Sequence, residues 1–131
     1  MLGNWPLYAN VLVGDIDRAR AFYEGILGME PIRTAESEVV YRSGTTRFAI
    51  SRVDDAGETA HTVGSFVVDD IGPIVAGLRA KGVRFEDYDL PGLVTVEGIA
   101  TFAADGITLP DRVAWFRDPD GNLLSLVQEG S

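Results

Sequence analysis

The feature that most constrains the fold is a short phrase written twice. "VGDIDRA" at residues 13–19 is echoed by "VDDIGPI" at residues 68–74. Asp15 and Asp70 are 55 residues apart, and Gly28 and Gly82 are 54 apart. In each copy an apolar run precedes the aspartate, residues 7–13 in the first and 62–68 in the second. A helical period follows, through Ala19, Phe22, Tyr23, Ile26 and Leu27, and again through Ile71, Ile74, Val75 and Leu78. That i, i+3, i+4, i+7 spacing gives a helix with one apolar stripe. The aspartates are suited to N-cap the helices and the glycines to end them. Pro73 falls in the first helical turn, where its missing N–H costs little. A period this long, present only twice, predicts a duplicated unit and not a solenoid.

Three strand-like runs follow the first helix, at Glu30–Thr34, Glu38–Arg42 and Thr46–Arg52, with Ser43-Gly44-Thr45 as a turn. After the second helix, Val83–Asp87, Val113–Arg117 and Asn122–Gln128 read the same way. The expected fold is α+β, a single domain over 1–131 of two tandem βαβββ modules, about 5–54 and about 61–129. The second copy is longer between Asp87 and Arg112, where residues 88–111 could be an extra strand with loops or a flap. The segment "DPDGN" at 118–122 has turn chemistry throughout and reads as structural.

Composition narrows the functional classes. A chain of 131 residues, 46% hydrophobic and 24% charged, can bury a core of its own and reads as an ordinary soluble domain. A net charge of −9 argues against nucleic acid and against an anionic membrane surface. It suits solubility and would favour a cationic small ligand. The absence of cysteine removes disulfides, thiolate nucleophiles and cysteine-based zinc sites. The N-terminal residues lack a secretory pattern, and no run nears the roughly 20 apolar residues of a membrane helix, so a cytoplasmic protein is expected.

"VLVGDIDRARAFYEGILGMEP", the strand ending in "VVDDI", and "AWFRDPDGNLLSLVQ" resemble the glyoxalase/bleomycin-resistance/dioxygenase family, the vicinal oxygen chelate proteins. The resemblance follows both modules over nearly the whole chain. It implies curved sheets enclosing a cleft, often completed by a dimer partner. Metal-dependent relatives carry a His or Glu in the first strand of each module and a Glu in each module's last strand. Carried over by position, those places fall on Tyr8, Val63 and Ser125, with the fourth near Phe48–Ser51. None offers a carboxylate or imidazole, and tyrosine and serine are poor neutral donors. The only histidine, His61, stands two residues before the expected position. A slip of two would keep its facing, but one ligand makes no site.

Strand alternation supplies pocket candidates. Ala9, Val11 and Val13 suit a sheet–helix core, leaving Tyr8 and Asn10, with Leu12, on the other face. Val63, Ser65 and Val67 form a second wall, by resemblance the cleft, and Leu123, Ser125 and Val127 a third. Trp5, Tyr41, Phe48, Phe102 and Trp115 are placed near the expected mouth. The candidate ligand-binding residues are therefore Tyr8, Asn10, Tyr41, Phe48, Ile50, Val63, Ser65, Phe102, Trp115, Leu123 and Ser125. No catalytic or metal residue and no cofactor is expected. Ser125 has no identifiable base and "GxSxG" is absent, while Glu86, Asp87, Asp89 and Glu97 would be general bases only if buried.

The function expected is metal-free binding and sequestration of a planar or aromatic molecule by a homodimer. It resembles the antibiotic-resistance members, whose ligand classes include bleomycin, mitomycin and enediyne-type compounds. A lyase, isomerase or dioxygenase with an atypical site, built on His61 and a carboxylate of 86–97, is the alternative. A metabolite- or flavin-binding accessory domain is a third.

Overall fold

Asp15 begins the first helix as its spacing predicts, its carboxylate accepting a hydrogen bond from the Arg18 N–H at 3.1 Å. The structure, a computed structural model, describes residues 1–102 and 112–129. It divides into two units, Met1–Glu58 with Pro119–Asn122, and Thr59–Asp118 with Leu123–Ser131.

The first unit holds β1 (Asn10–Val13), α1 (Ile16–Arg20), β2 (Glu30–Thr34), β3 (Glu38–Ser43) and β4 (Thr46–Arg52). α1 runs into a wider π-helical turn over Ala21–Ile26, where the Leu27 N–H reaches the Phe22 carbonyl at 2.9 Å. Gly28, at φ 73°, ends the helix in the left-handed region that glycine enters freely. The sheet order is β1-β4-β3-β2, with β1 parallel to β4 and the other pairs antiparallel. Its core packs Val11, Val13, Ala19, Phe22, Tyr23, Val39, Tyr41 and Ile50.

Two features tie the "DPDGN" turn into this unit. The Gly14 N–H donates to Asp120 Oδ1 at 3.0 Å, and Asn122 Nδ2 donates to the Leu12 carbonyl at 2.9 Å. The Arg18 side chain also donates to the Pro119 carbonyl. The turn is built as structure, as its composition predicts.

The second unit holds β5 (Thr62–Val68), α2 (Ile71–Ala80), β6 (Asp89–Leu90), β7 (Leu93–Val96), β8 (Ile99–Thr101), β9 (Arg112–Arg117) and β10 (Leu123–Gln128). The order is β5-β10-β9-β8-β7-β6, with β5 parallel to β10. Asp70 occupies the N-cap position without a side-chain bond, and Gln128 Oε1 instead accepts from the Ile71 N–H at 2.9 Å.

Three expectations change. The first strand begins at Asn10, not at residue 7, because residues 5–9 lie exposed ahead of the ladder. Val83–Asp87 forms no strand; only Phe85 bridges Phe116, and the Glu86 N–H reaches the Trp115 carbonyl at 2.8 Å. Within 88–102 the longer insert is made of strands β6, β7 and β8, turned at Glu97 and Gly98 with φ 52° and 81°. Residues 103–111, the rest of the strand-or-flap question, lie outside the described residues.

Candidate functional site

Each sheet has a face turned to its helix and a face turned away from it, and the ladder registers sort the side chains between them. In the first unit Val11 and Val13 are buried toward α1, so Asn10 and Leu12 point the other way. Asn10 pairs with Ala49 and Leu12 with Ser51. Val40 stands opposite Ala49, and Arg42 directly opposite Arg47. The face turned away from α1 thus carries the exposed Asn10, Leu12, Arg42 and Arg47, the half-buried Ser51 and the buried Val40 and Ala49. The Tyr8 ring joins them, its centroid 5.8 Å from the Arg47 guanidinium carbon. Beside it a cleft of about 630 Å³ is lined by Pro6–Tyr8, Ile32, Arg42 and Gly44–Arg47. Deeper on the same face, Ser51 Oγ lies 3.5 Å from Glu38 Oε2, and Arg33 pairs with Glu38 at 3.2 Å.

Tyr41, Phe48 and Ile50 do not line this face. Tyr41 and Phe48 are cross-strand partners with ring centroids 5.5 Å apart, and both pack on Tyr23 of the helix, at 6.0 and 5.7 Å. Ile50 and Tyr41 are fully buried. The strand period explains the correction: residues one step away, Arg42, Arg47 and Ala49, take the open positions.

Tyr41 is anchored in that core by its hydroxyl, which donates to Glu24 Oε2 at 2.8 Å. Glu24 also holds Arg20 at 2.6 Å. The bond from Arg20 keeps the Glu24 carboxyl below its ordinary range, while burial, then the bond to Glu24, pushes the Tyr41 phenol well up. This trio links helix to sheet and presents nothing to the open face.

In the second unit the Phe116 and Phe85 rings pack tilted at 5.7 Å on the side of α2, with Leu124 and Leu126 buried on the same face. Ser125 points to the opposite face, directly across from Trp115 on β9 and Ser65 on β5. Ser65 Oγ and Ser125 Oγ are 2.6 Å apart. Tyr88 meets Trp115 edge-on at 5.3 Å. Ser65, Leu123, Ser125 and Trp115 are therefore brought together on the face turned away from α2, where Leu123 and Ser125 are buried. Val63 falls at a bulge, since Leu123 pairs with Thr62 and Leu124 with Gly64. Phe102 follows β8, half-buried, and Trp5 is 71% exposed.

The duplication fixes the position that sequence left between Phe48 and Ser51. Asn10 pairs with Ala49 as Ser65 pairs with Ser125, so the last-strand position in the first module is Ala49. The four places where a chelating relative would hold a divalent ion are Tyr8 and Ala49 in one module, Val63 and Ser125 in the other. Two have no donor atom and two carry neutral hydroxyls, a set that does not fit a divalent ion. Among the described residues no group of three or more His, Cys, Asp or Glu could hold a metal. His61 lies exposed just before β5. Glu86 is paired with Arg117 at 2.7 Å, Asp87 accepts from Thr95 at 3.2 Å, Asp89 is exposed on β6, and Glu97 forms the β7–β8 turn.

Sequence reasoning missed Arg42 and Arg47. Their signal is legible in hindsight: "RSGTTR" places two arginines symmetrically about the turn, which makes them cross-strand partners.

A family model described as the Glyoxalase/Bleomycin resistance protein/Dioxygenase superfamily matches residues 5–126. Among solved structures, a glyoxalase family protein from Enterococcus faecalis superposes with TM-score 0.72 at 18% identity, covering 97% of this chain and 99% of that one. The bleomycin resistance determinant encoded on transposon Tn5 gives 0.70 at 20% identity, covering 97% and 99%. The genomically encoded fosfomycin resistance protein FosX from Listeria monocytogenes gives 0.68 at 18%, covering 97% and 93%. No curated protein sequence matches. Among the described residues no helix is long and apolar enough to cross a membrane.

Proposed function

The chain belongs to the glyoxalase/bleomycin resistance protein/dioxygenase superfamily, and on that premise we propose that it binds and sequesters a small, largely planar organic molecule without a metal, in the manner of the family's antibiotic-resistance members. One observation carries this reading. At the last-strand position of the second module, where a chelating relative would present a carboxylate, Ser125 is buried and bonded to Ser65. Its hydroxyl is satisfied within the sheet, and the neighbouring positions are apolar or neutral. Binding needs only a complementary surface, whereas catalysis needs groups that hold the transition state more tightly than the substrate. The open faces supply aromatic, hydroxyl and amide groups of the kind that line ligand pockets. Structural neighbours named for resistance to fosfomycin and bleomycin support the same class.

The reading includes a homodimer. β1 is a sheet edge whose Leu12 carbonyl and Gly14 N–H are held by Asn122 and Asp120, but the side chains of Leu12 and Leu7 are 46% and 95% exposed on or beside it, and exposed apolar side chains suit a second chain. It also places the protein in the cytoplasm, which a cysteine-free chain suits.

Native mass spectrometry of the purified protein, followed by melting with a panel of planar drugs and with divalent metals, tests the proposal. A bound or stabilising organic ligand, with no metal effect, is expected. A stoichiometric metal ion, or turnover of a ligand, would overturn it.

A further inference from the structure

We propose that the hairpin cleft of the first module recognises an organic anion, specifically a carboxylate on a flat apolar body, through Arg42 and Arg47. This rests on the reading that the open face of that module takes a small molecule, and adds the ligand's charge class.

The β3–β4 hairpin sets Arg42 and Arg47 directly opposite each other, and like charges in facing positions repel. Four other arginines, Arg20, Arg33, Arg52 and Arg117, hold carboxylates in ion pairs. Among the described residues Arg42 and Arg47 have no such partner; Arg18, Arg79, Arg84 and Arg112 make no ion pair either, so what sets this pair apart is that the two face each other beside a cleft. Arg47 lies over the Tyr8 ring, and Glu30, the other cross-strand neighbour of Arg42, makes no ion pair with it. Both guanidinium groups border the cleft of about 630 Å³, whose remaining wall includes Pro6, Leu7, Tyr8 and Ile32. A wall of apolar and threonine side chains with two facing arginines fits an amphipathic anion. The planar guanidinium fork matches a carboxylate in two parallel hydrogen bonds. The net charge of −9 acts over long range and is screened by salt, whereas the arginine pair acts at contact. The cationic ligand that net charge alone favours is therefore not the one this cleft would hold.

Calorimetric titration of the full chain with 2-naphthoate and with the neutral 2-naphthamide tests the proposal, repeated on Arg42→Gln and Arg47→Gln. Naphthoate should bind at least about tenfold more tightly than the amide, and each variant should lose most of that preference. Because each substitution relieves repulsion, the free variants should melt no lower than the wild type, which separates a binding role from a structural one. Equal binding of acid and amide, unchanged in the variants, would overturn the anion site while leaving small-molecule binding standing. Naphthoate preference that survives both variants would place the anion elsewhere and overturn it as well. If neither probe binds while another planar drug does, the anion site fails alone; if no planar ligand binds, both readings fall.

Discussion

Ser65 and Ser125 share a 2.6 Å hydrogen bond across the parallel β5–β10 ladder, yet Ser125 is 2% exposed and Ser65 faces solvent. The asymmetry makes the pair a test of the register. Removing the inner hydroxyl with Ser125→Ala frees Ser65 to bond water, a loss of about 1 kcal/mol or less. Removing the outer one with Ser65→Ala strands a buried hydroxyl, which costs roughly 1–3 kcal/mol. Urea unfolding should therefore rank Ser65→Ala as the more damaging, with the double variant close to Ser125→Ala. The reverse order would show that Ser125 has a different partner. Ligand affinity should fall modestly in Ser125→Ala.

The Arg20–Glu24–Tyr41 trio predicts opposite behaviour at the two ends of the pH range. Glu24 has its folded pKa depressed, so its contribution is present above its ordinary value of 4.5 and lost as pH falls through the folded one. Tyr41 has its folded pKa raised, so its contribution is present below its ordinary value of 10.0 and lost as pH rises beyond that. Tyr41→Phe should cost about 1 kcal/mol at neutral pH, the worth of one hydrogen bond. Above pH 10 the gap between wild type and variant should close, because the variant has no phenol to ionise. Melting temperatures across pH 3–11 for both proteins measure this; a gap that stays constant to the alkaline limit would refute the assignment.

Gly121 predicts that the "DPDGN" turn matters for stability alone. At φ 89°, a Cβ there would lie 2.5 Å from Glu58 Cγ and 3.1 Å from Glu58 Cα, a backbone atom that cannot swing aside. Gly121→Ala should destabilise by about 2 kcal/mol or more, from left-handed strain with the clash added. Gly57→Ala, with open space around it, should change stability by roughly 0.5 kcal/mol or less. Both variants, once folded, should bind ligand as the wild type does. A selective loss of binding in Gly121→Ala would return the turn to the functional site.

Duplication explains what was legible in the sequence. Asp15 and Gly28, with the apolar helical stripes, placed both modules and both helices, because caps and periodicity are local signals. Alternation placed Asn10, Ser65 and Ser125 on the faces turned away from the helices, since their strand neighbours are apolar and suit the helix side. It failed for Tyr41, Phe48 and Ile50, where aromatic character suggested a ligand but the ladder turns them onto Tyr23. A strand of six residues with apolar groups on both faces gives period two no phase to read. The opposed arginines were hidden for a different reason: their pairing depends on the register of the hairpin, which the turn length sets.

The exposed edge of β1 supports a last prediction, on assembly. Leu12 points away from α1 on a strand that, among the described residues, has no ladder partner on its outer side, where Asn122 holds the Leu12 carbonyl; its side chain is 46% exposed. If a second copy covers this edge about a two-fold axis, the residue enters the interface once from each subunit. Leu12 is already about half covered within its own chain, so Leu12→Lys then removes about half of the roughly 1.5–3 kcal/mol of a fully buried leucine per copy. Two copies correspond to a dimer weakened by about tenfold or more. Sedimentation velocity over a concentration series should show a wild-type dimer, and a Leu12→Lys protein shifted to monomer with an unchanged circular dichroism spectrum. A wild type that is monomeric at every concentration would remove the dimer from the proposed function. A dimer unaffected by Leu12→Lys would place the interface on another face.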